Sequence, residues 1–297
     1  MANVREIQTR INSVKDTMKI TNAMYTISSS KLKQAKKKLE DTEPYFYALQ
    51  GEISRILRHV PDITHRFFDQ RKQIPGEERK IGIIVVTADK GLAGSYNHDV
   101  LKMADTMLAG PGVHKLYVLG ELGRHYFVHH HVDIDAEFHY TVQKPSMHRA
   151  RNIAGVALSG FENGELDEVY IIYTRMESAM TSVTEKVKLL PLESTDFSVM
   201  KMPLNMYREE IELYPSAESV MDSIIPNYVA GMIYGCLVES YSSEQNSRMM
   251  AMQAASDSAK SIIKELSVLY NRARQTAITQ EITEVVGGAR AQKRKRK

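Results

Sequence analysis

The sequence predicts an α/β protein in which a long antiparallel coiled coil of the N- and C-terminal helices flanks a central Rossmann-like α/β domain. The chain contains nine prolines and sixteen glycines, yet residues 1–43 and 236–286 contain neither. Proline and glycine are the residues that most disfavour a helix interior, so both terminal segments are expected to be long helices. Between them, short β-branched runs alternate with helical stretches, which is typical of a largely parallel sheet.

Four segments are expected. They are an N-terminal coiled-coil helix at 1–58, a central α/β domain at 75–204, a C-terminal coiled-coil helix at 216–289 and a basic disordered tail at 290–297.

The N-terminal helix carries a heptad pattern of apolar and small residues. Its members are Val4, Ile7, Ile11, Val14, Met18, Thr21, Tyr25, Ser28, Leu32, Ala35 and Leu39. Spacings that alternate between three and four predict the seam of a coiled coil. The seam becomes small and polar around the sequence TISSS at 26–30. We therefore expect a joint that packs closely and adjusts there.

The C-terminal helix shows a similar pattern. The predicted seam comprises Ala255, Ala259, Ile262, Leu266, Leu269, Ala273, Thr276, Gln280 and Thr283. Pro226 favours a first helical turn and the pair Gly287-Gly288 favours a stop, so the helix is expected to run from Pro226 to Val286. Several shorter helices joined by tight turns are the alternative, although no turn residues are present to form the joints.

The middle of the chain alternates between two kinds of segment. Strands are predicted for IGIIVVT at 81–87, KLYVLG at 115–120, EVYIIYT at 168–174 and TEKVKLLPL at 184–192, the last as an edge or half-exposed strand. Helices are predicted at 97–109, 122–130 and 146–163.

No motif for catalysis or cofactor binding is evident, and none is expected. The chain lacks GxxxxGK[ST] and GxGxxG. The loop DKGLAGSYN at 89–97 follows a strand, and its glycines allow either an anion cradle or, the favoured interpretation, a tight turn. His125 and His129 are spaced as a metal pair, but surface histidines are the better interpretation.

Composition also bounds the cellular setting. The single cysteine, Cys236, cannot form an internal disulfide, which favours a reducing compartment. The longest apolar stretch is IGIIVV at 81–86, too short to span a bilayer. We therefore expect a cytoplasmic protein, or one on the cytoplasmic face of a membrane.

Basic residues are concentrated at the two ends of the chain. The tail at 290–297 holds six of them, and the rest of the chain has a net charge of −3. Residues 1–39 contain nine basic side chains and only Glu6 and Asp16 as acids. This imbalance indicates either an acidic partner surface or a solvated helix face.

Several motifs resemble one family. KITNAM at 19–24, SSKLKQAKK at 29–37, SEQNSRMMAMQAASDSA at 243–259 and above all LYNRARQTAITQEITEVVGGA at 269–289 resemble the gamma subunit of bacterial F-type ATP synthases. DKGLAGSYN resembles that family's loop after the first central strand. The resemblance extends over nearly the whole chain. It departs where YTISSSKL replaces a more apolar run and where the chain continues past VGGA.

The resemblance implies a non-catalytic central-stalk rotor without cofactor or bound metal. Such a subunit couples ion-driven rotation of the membrane c ring to ATP synthesis or hydrolysis at the surrounding subunits. Expected partners are the alpha, beta, delta and epsilon subunits and the c ring, with one copy per complex and no nucleic acid. The chain would be peripheral, at the cytoplasmic face of the bacterial plasma membrane. Proton and sodium coupling both stay open.

By the same resemblance, nine residues are expected to make coupling or rotor contacts. They are Lys19, Met24, Lys31, Lys33, Arg248, Arg274, Gln275, Thr279 and Glu281. Met24 would lie near the acidic lobes of the beta subunits, and Arg274 with Gln275 would hold a beta-subunit loop.

An apolar stripe formed by Ile278, Ile282, Val285 and Val286 follows these residues at helical spacing. The stripe is expected either to rotate inside a ring of apolar contacts formed by the surrounding subunits or to pack against Val4 and Ile7.

Two other classes are alternatives. A nucleic-acid-binding coiled coil would use the basic ends, but the acidic remainder of the chain argues against it. A nucleotide-dependent α/β enzyme would need a phosphate loop, which is absent.

The basic tail is expected to contact neither the membrane nor the catalytic sites.

Overall fold

Two long helices bracket a small α/β domain. A computed structural model describes residues 4–178, 181–197 and 211–295, with side chains to 289. The first helix, α1, spans Val4–His59 and the last, α5, spans Ala217–Lys295. Between them lie β1 (Lys80–Val86), α2 (Tyr96–Leu108), β2 (Val113–Leu119), α3 (Glu121–His129), α4 (Met147–Glu162), β3 (Glu168–Met176) and β4 (Ser182–Leu190).

The four strands form one sheet in the order β2-β1-β3-β4. β1 pairs in parallel with both β2 and β3, and Ile83 lies opposite Leu116 on one side and Tyr170 on the other. β4 pairs antiparallel with β3 and forms an edge. The four predicted strands, the three predicted helices between them and the largely parallel sheet are confirmed.

Both faces of the sheet are covered by helices, as the continuous apolar character of β1 requires. On one face, Val100 and Ala104 of α2 and Phe127 of α3 pack against Ile83 and Val85. The opposite face carries the larger cluster, built from α4, the end of α1 and the beginning of α5. Its members include Ile53, Ile56, Ile84, Val86, Ala154, Phe161, Ile171, Ile225, Val229 and Ile233.

Backbone contacts divide the chain into two compact units. The smaller comprises Met1–Ile27 and Met249–Lys297, and the larger comprises Ser28–Arg248. Each unit therefore contains a part of both long helices.

In the larger unit, the two helices approach closely at one glycine. A Cβ atom added to Gly231 of α5 would lie only 2.0 Å from Cδ1 of Phe46 on α1. Real carbon atoms do not approach to that distance, so the position accepts no side chain without rearrangement.

In the smaller unit, α1 and α5 run antiparallel as a coiled coil. Ile7 and Ile11 are buried with Leu266, and Tyr270 and Ala273 pack against them. Along α1, including the part within the larger unit, every member of the predicted seam is buried or half-buried, which confirms that pattern.

The predicted seam of α5 is partly wrong. The residues between 252 and 277 that are buried or half-buried are Met252, Ser256, Ala259, Ile263, Leu266, Ser267, Tyr270, Ala273 and Ala277. Ala255, Ile262, Leu269, Thr276, Gln280 and Thr283 are exposed instead. Because Ile262 and Ile263 are adjacent and both apolar, the sequence allows two registers for the seam of α5. The correct register contains Ser256 and Tyr270, whose hydroxyl groups made them poor candidates for buried positions.

Three further expectations need correction. α5 begins nine residues before Pro226 and continues through Gly287 and Gly288 to Lys295. It is a single helix, so the alternative of several short helices is wrong. Each glycine costs a helix only about 1 kcal/mol, which the flanking alanine, arginine, glutamine and lysine residues offset.

Consequently residues 290–295 belong to α5, and a disordered tail does not begin at 290. Residues 296–297 lie outside the described part, as does the predicted end of the central domain at 204. Among the described residues, no helix is both long enough and apolar enough to cross a bilayer.

Candidate functional site

The carboxyl ends of β1 and β3 define a crevice in the sheet. From β1 the chain passes to β2 on one side, and β3 then pairs on the other side. In open α/β sheets this change of direction is where ligands usually bind. Here a polar stretch of α5 lies at that place.

This polar stretch of α5, residues 239–248, contacts the end of β3. The Ser243 hydroxyl donates to the carbonyl oxygen of Thr174 at 3.1 Å. The amide of Met176 donates to the Glu239 carboxylate at 3.3 Å. Seven of its polar side chains are buried, namely Ser240, Ser242, Ser243, Glu244, Gln245, Asn246 and Arg248.

A second group of contacts holds the loop that follows β1. Nη2 of Arg248 donates to the carbonyl oxygens of Lys90 at 2.9 Å and Gly91 at 3.0 Å, and Nε donates to Gly91 at 3.3 Å. Nη1 of Arg248 pairs with Oε1 of Glu244 at 2.7 Å. The guanidinium group thus bridges a buried carboxylate on its own helix and two carbonyls of the loop.

The loop itself is tightly bonded. The amide of Ala88 donates to Oδ1 of Asn97 at 2.8 Å, and the Thr141 hydroxyl donates to Oδ2 of Asp89. Gly94 has φ +59° and Leu92 has φ +65°, so the turn passes through the left-handed region twice. The loop carbonyls accept hydrogen bonds from the cationic guanidinium group of Arg248. The hypothesis that this loop forms an anion cradle is therefore not supported.

The buried ionisable groups influence one another. Burial raises the pKa of the Glu244 carboxyl and the Asp89 carboxylate adds to the rise, whereas Arg248 and Lys31 oppose it. Oδ1 of Asp89 is buried and makes no hydrogen bond among the described residues. Glu244 and Arg248 on α5 therefore lie close to Asp89 of the loop in one poorly solvated site, and Lys31 on α1 acts on Glu244 through its charge alone.

A hydrogen bond joins the polar stretch of α5 to α2. The hydroxyl of Tyr96, at the start of α2, lies 2.6 Å from Oγ of Ser240, and both groups are buried. Burial raises the pKa of Tyr96 far above its ordinary value, so this hydroxyl stays neutral.

The predicted contact residues fall into two groups. Arg248 lies in the buried site just described, and the half-buried Lys31 acts on that site through its charge. Lys33, Arg274, Gln275, Thr279 and Glu281 are exposed, Met24 is half-buried, and Lys19 is exposed and pairs with Asp16 at 2.9 Å. Apart from Lys33, the second group belongs to the smaller unit, whereas Arg248 belongs to the larger one.

The apolar stripe near the end of α5 is open to solvent. Ile278, Ile282, Val285 and Val286 are 47%, 59%, 72% and 46% exposed. Of the two proposed partners on α1, Ile7 is buried against Leu266 and its neighbours instead, and Val4 is half-buried. Packing of the stripe back on α1 is therefore not observed.

The histidine cluster has ordinary contacts. The ring of His130 packs against Tyr126 at a tilt of 32° with centroids 4.1 Å apart, while His129 is exposed. Among the residues described, no three histidine, cysteine or carboxylate side chains are grouped as metal ligands.

Reasoning from the sequence assigned no role to Glu244, Asp89, Tyr96 and Ser243, although the motifs at 89–97 and 243–259 contain them. One signal was available, because the run SSEQNSR at 242–248 places seven consecutive polar residues inside a long helix without any apolar position to face a core.

The fold and the site define a class of protein. It is a coiled-coil scaffold whose α/β domain binds its own C-terminal helix at the crevice where other such domains bind a ligand. Comparison with known proteins then gives the family. A family model described as ATP synthase matches residues 3–292.

Sequence relatives agree with this match. An ATP synthase gamma chain of Acetivibrio thermocellus is 42% identical over 99% of this chain and 100% of its own length. One of Ruminiclostridium cellulolyticum is 40% identical over 97% and 98%. A sodium-ion-specific gamma chain of Acetobacterium woodii is 36% identical over 97% and 98%. The chain belongs to the gamma-chain family of ATP synthases and is thus a non-catalytic subunit.

Solved structures support the fold. Part of the Euglena gracilis mitochondrial ATP synthase matches with a TM-score of 0.66 and 13% identity, over 99% of this chain and 96% of that one. A chain of the Tetrahymena thermophila central stalk and c ring matches with a TM-score of 0.58 and 24% identity, over 80% and 99%.

Proposed function

We propose that this chain is the central-stalk rotor subunit of an F-type ATP synthase. It would couple ion-driven rotation of the membrane c ring to ATP synthesis or hydrolysis at the surrounding alpha and beta subunits. The observation that carries the proposal is the exposed end of α5. Four apolar side chains between 278 and 286 lie open to solvent on a helix that has no core of its own there.

The charge of α1 supports partners that carry acidic surfaces. Lys15, Lys19, Lys33 and Lys36 are exposed along the helix. A basic helix of this kind favours neighbours with negative potential, and the acidic lobes of beta subunits have that character in this family. Met24 and the lysines at 19, 31 and 33 are the α1 positions proposed to meet those lobes.

The second proposed contact region lies on α5. Arg274 and Gln275 are exposed on adjacent positions, and the Thr279 hydroxyl donates to the Gln275 carbonyl at 2.9 Å. With Glu281 these groups offer donors and acceptors to a loop of a beta subunit.

Coupling requires that the chain discriminate between states of its neighbours. A ligand or partner shifts a conformational equilibrium only through its differential interaction with the two states. A rotor without three-fold symmetry meets each beta subunit with a different face, and the sites then differ in affinity for ADP, phosphate and ATP.

The delta and epsilon subunits and the c ring complete the proposed set of partners, and attachment to the membrane would be peripheral through the c ring. The relatives include one named for sodium specificity and others that are not. The proposal therefore does not specify the coupling ion.

The test is isolation of the native complex. We expect an affinity-tagged full chain, extracted with mild detergent from bacterial membranes, to co-purify with alpha, beta, delta, epsilon and c subunits. Native mass spectrometry should give one copy per complex, and ATP hydrolysis should occur in the assembly and not in the isolated chain. A chain that elutes free of these subunits, or with nucleic acid that high salt removes, would contradict the proposal.

A further inference from the structure

The polar stretch of α5 at 239–248 replaces a ligand in the crevice of the α/β domain. It bonds to the end of β3 through Glu239 and Ser243 and to the loop after β1 through Arg248. Burying so many polar groups lowers stability unless each finds a partner. Apolar residues would pack α5 against the sheet at less cost. The hydrogen bonds of these polar groups therefore fix the orientation of α5 against the α/β domain, which apolar packing, being non-directional, does not.

We propose that this stretch is a locking joint that fixes the rotation of α5 relative to the α/β domain, and that Glu244 is its positioning residue. The inference rests on the proposed rotor function and adds a role for a residue outside the predicted contact set. Glu244 touches no partner subunit in this scheme and acts through Arg248.

The geometry explains how Glu244 acts. Its carboxylate binds Nη1 of Arg248 at 2.7 Å and leaves Nη2 and Nε directed at the carbonyls of Lys90 and Gly91. A guanidinium group is planar, so fixing one edge orients the other. The loop carbonyls are then held by a group whose own direction is set one helical turn away.

The loop held in this way presents exposed side chains. Lys90 and Leu92 are both exposed, and Leu92 follows directly after the carbonyl of Gly91 that Arg248 holds. A loose Arg248 would release the loop, and the position of these two side chains relative to α5 would vary. With the loop released, a rotation of α5 about its own axis would no longer rotate the α/β domain by the same angle.

Hydrogen exchange tests the joint in the assembled complex. With Glu244→Gln, we expect backbone amides in 89–97 to exchange about tenfold faster, because the ion pair with Arg248 is replaced by a weaker hydrogen bond from the guanidinium group to a neutral amide oxygen. The matched control is Asp257→Asn, which removes an exposed helical carboxylate that pairs with Lys260 at 2.8 Å. It should leave the loop unchanged. Unaltered exchange in the Glu244 variant would overturn the proposal.

A second pair of variants separates positioning from mere stability. Replacing both partners by apolar residues, Glu244→Leu with Arg248→Met, removes the buried charges together and should restore thermal stability relative to Glu244→Leu alone. The loop should still exchange rapidly, and proton or sodium pumping per ATP hydrolysed should fall at least about twofold. If the apolar pair restores both stability and coupling, the joint is only structural and the proposal is wrong.

Arg248→Lys covers the case in which the apolar pair does not assemble. Lysine keeps the charge beside Glu244 but lacks the fork, so we expect assembly, fast loop exchange and reduced coupling. Normal exchange and normal coupling would overturn the proposal. If wild-type chain itself joins no ATP synthase, the rotor function fails, whereas the same exchange comparison on the free full chain still reports on the joint.

Discussion

Oγ of Ser256 on α5 lies 2.8 Å from Oδ1 of Asn22 on α1 and donates a hydrogen bond to it. Ser256 is buried, and the neighbouring Thr21 is buried as well, with its hydroxyl bonded to the Met18 carbonyl. The polar part of the coiled coil thus satisfies its own donors. A single directional bond between helices is a known means of fixing their register.

Ser256→Ala should weaken this part of the coiled coil. Loss of a half-buried hydrogen bond that leaves an acceptor unpaired costs about 1 kcal/mol. We expect faster hydrogen exchange in residues 18–27 of the assembled complex. Ser261→Ala is the control, because the exposed Ser261 hydroxyl bonds only to the Asp257 carbonyl within its own helix. Equal protection in the two variants would contradict the assignment.

Two glycines of α5 should respond oppositely to alanine. Gly231→Ala places a Cβ atom against the Phe46 ring, and overpacking of this kind costs roughly 1–3 kcal/mol. Gly235→Ala meets nothing within 4 Å and should stabilise by up to about 1 kcal/mol through helix propensity. Chemical denaturation of the full chain compares them. A destabilised Gly235 variant beside an unaffected Gly231 variant would show that the packing is different.

Asp167 should make stability depend on pH. Its carboxylate is buried, which by itself would raise its pKa, but the Lys80 amide at 2.9 Å and Arg71 at 2.7 Å lower it overall. A lowered pKa adds stability that is complete above the unfolded value of about 4 and is lost as pH falls through the folded value.

The comparison for this prediction is Asp167→Asn. At neutral pH we expect it to be less stable than wild type by about 3 kcal/mol, and the difference should shrink as the pH falls below about 4. Urea denaturation at several pH values measures it. Asp133→Asn, at an exposed position, should track wild type throughout. A pH-independent difference would mean that Asp167 is not the titrating group.

Met24→Lys should impair coupling more than assembly. Met24 is half-buried on α1, and the added cation would bind an acidic beta lobe too strongly at one angle of rotation. ATP hydrolysis and ATP-driven ion pumping should be measured on the same vesicles. Ala23→Lys, on a different face of the same turn, is the control. Equal losses in both activities, or none, would count against the proposed placement.

Removal of residues 290–297 should leave ATPase activity of the assembled complex nearly intact. The deletion removes six basic residues and no acid, and it ends the chain at Ala289, one residue beyond Gly288. Steady-state hydrolysis by the purified complex measures the effect. A large loss of activity would place the basic segment in a functional contact.

Periodicity predicted the helices, the strands and the seam of α1, because burial of apolar side chains repeats with the geometry of each element. It failed on α5 where Ile262 and Ile263 compete for one seam position and where Ser256 is buried for its hydrogen bond. Hydrophobic spacing does not report a polar residue that is buried because it finds a partner.

The site was harder to predict for the same reason. Arg248 was singled out only through resemblance to a family, and Glu244 was given no role although the quoted motif at 243–259 contains it. Their burial depends on Lys90 and Gly91, which are more than 150 residues away in the chain. Only the tertiary fold shows that loop carbonyls and a helix meet at one end of the sheet.

The exposed apolar stripe at 278–286 of α5 has a consequence for the newly made chain before it assembles with its partners. A newly synthesised copy that carries Ile278, Ile282, Val285 and Val286 in water is prone to stick to other copies. The cell must therefore produce this polypeptide in step with the proteins that will surround that helix end, and surplus copies should precipitate or be degraded.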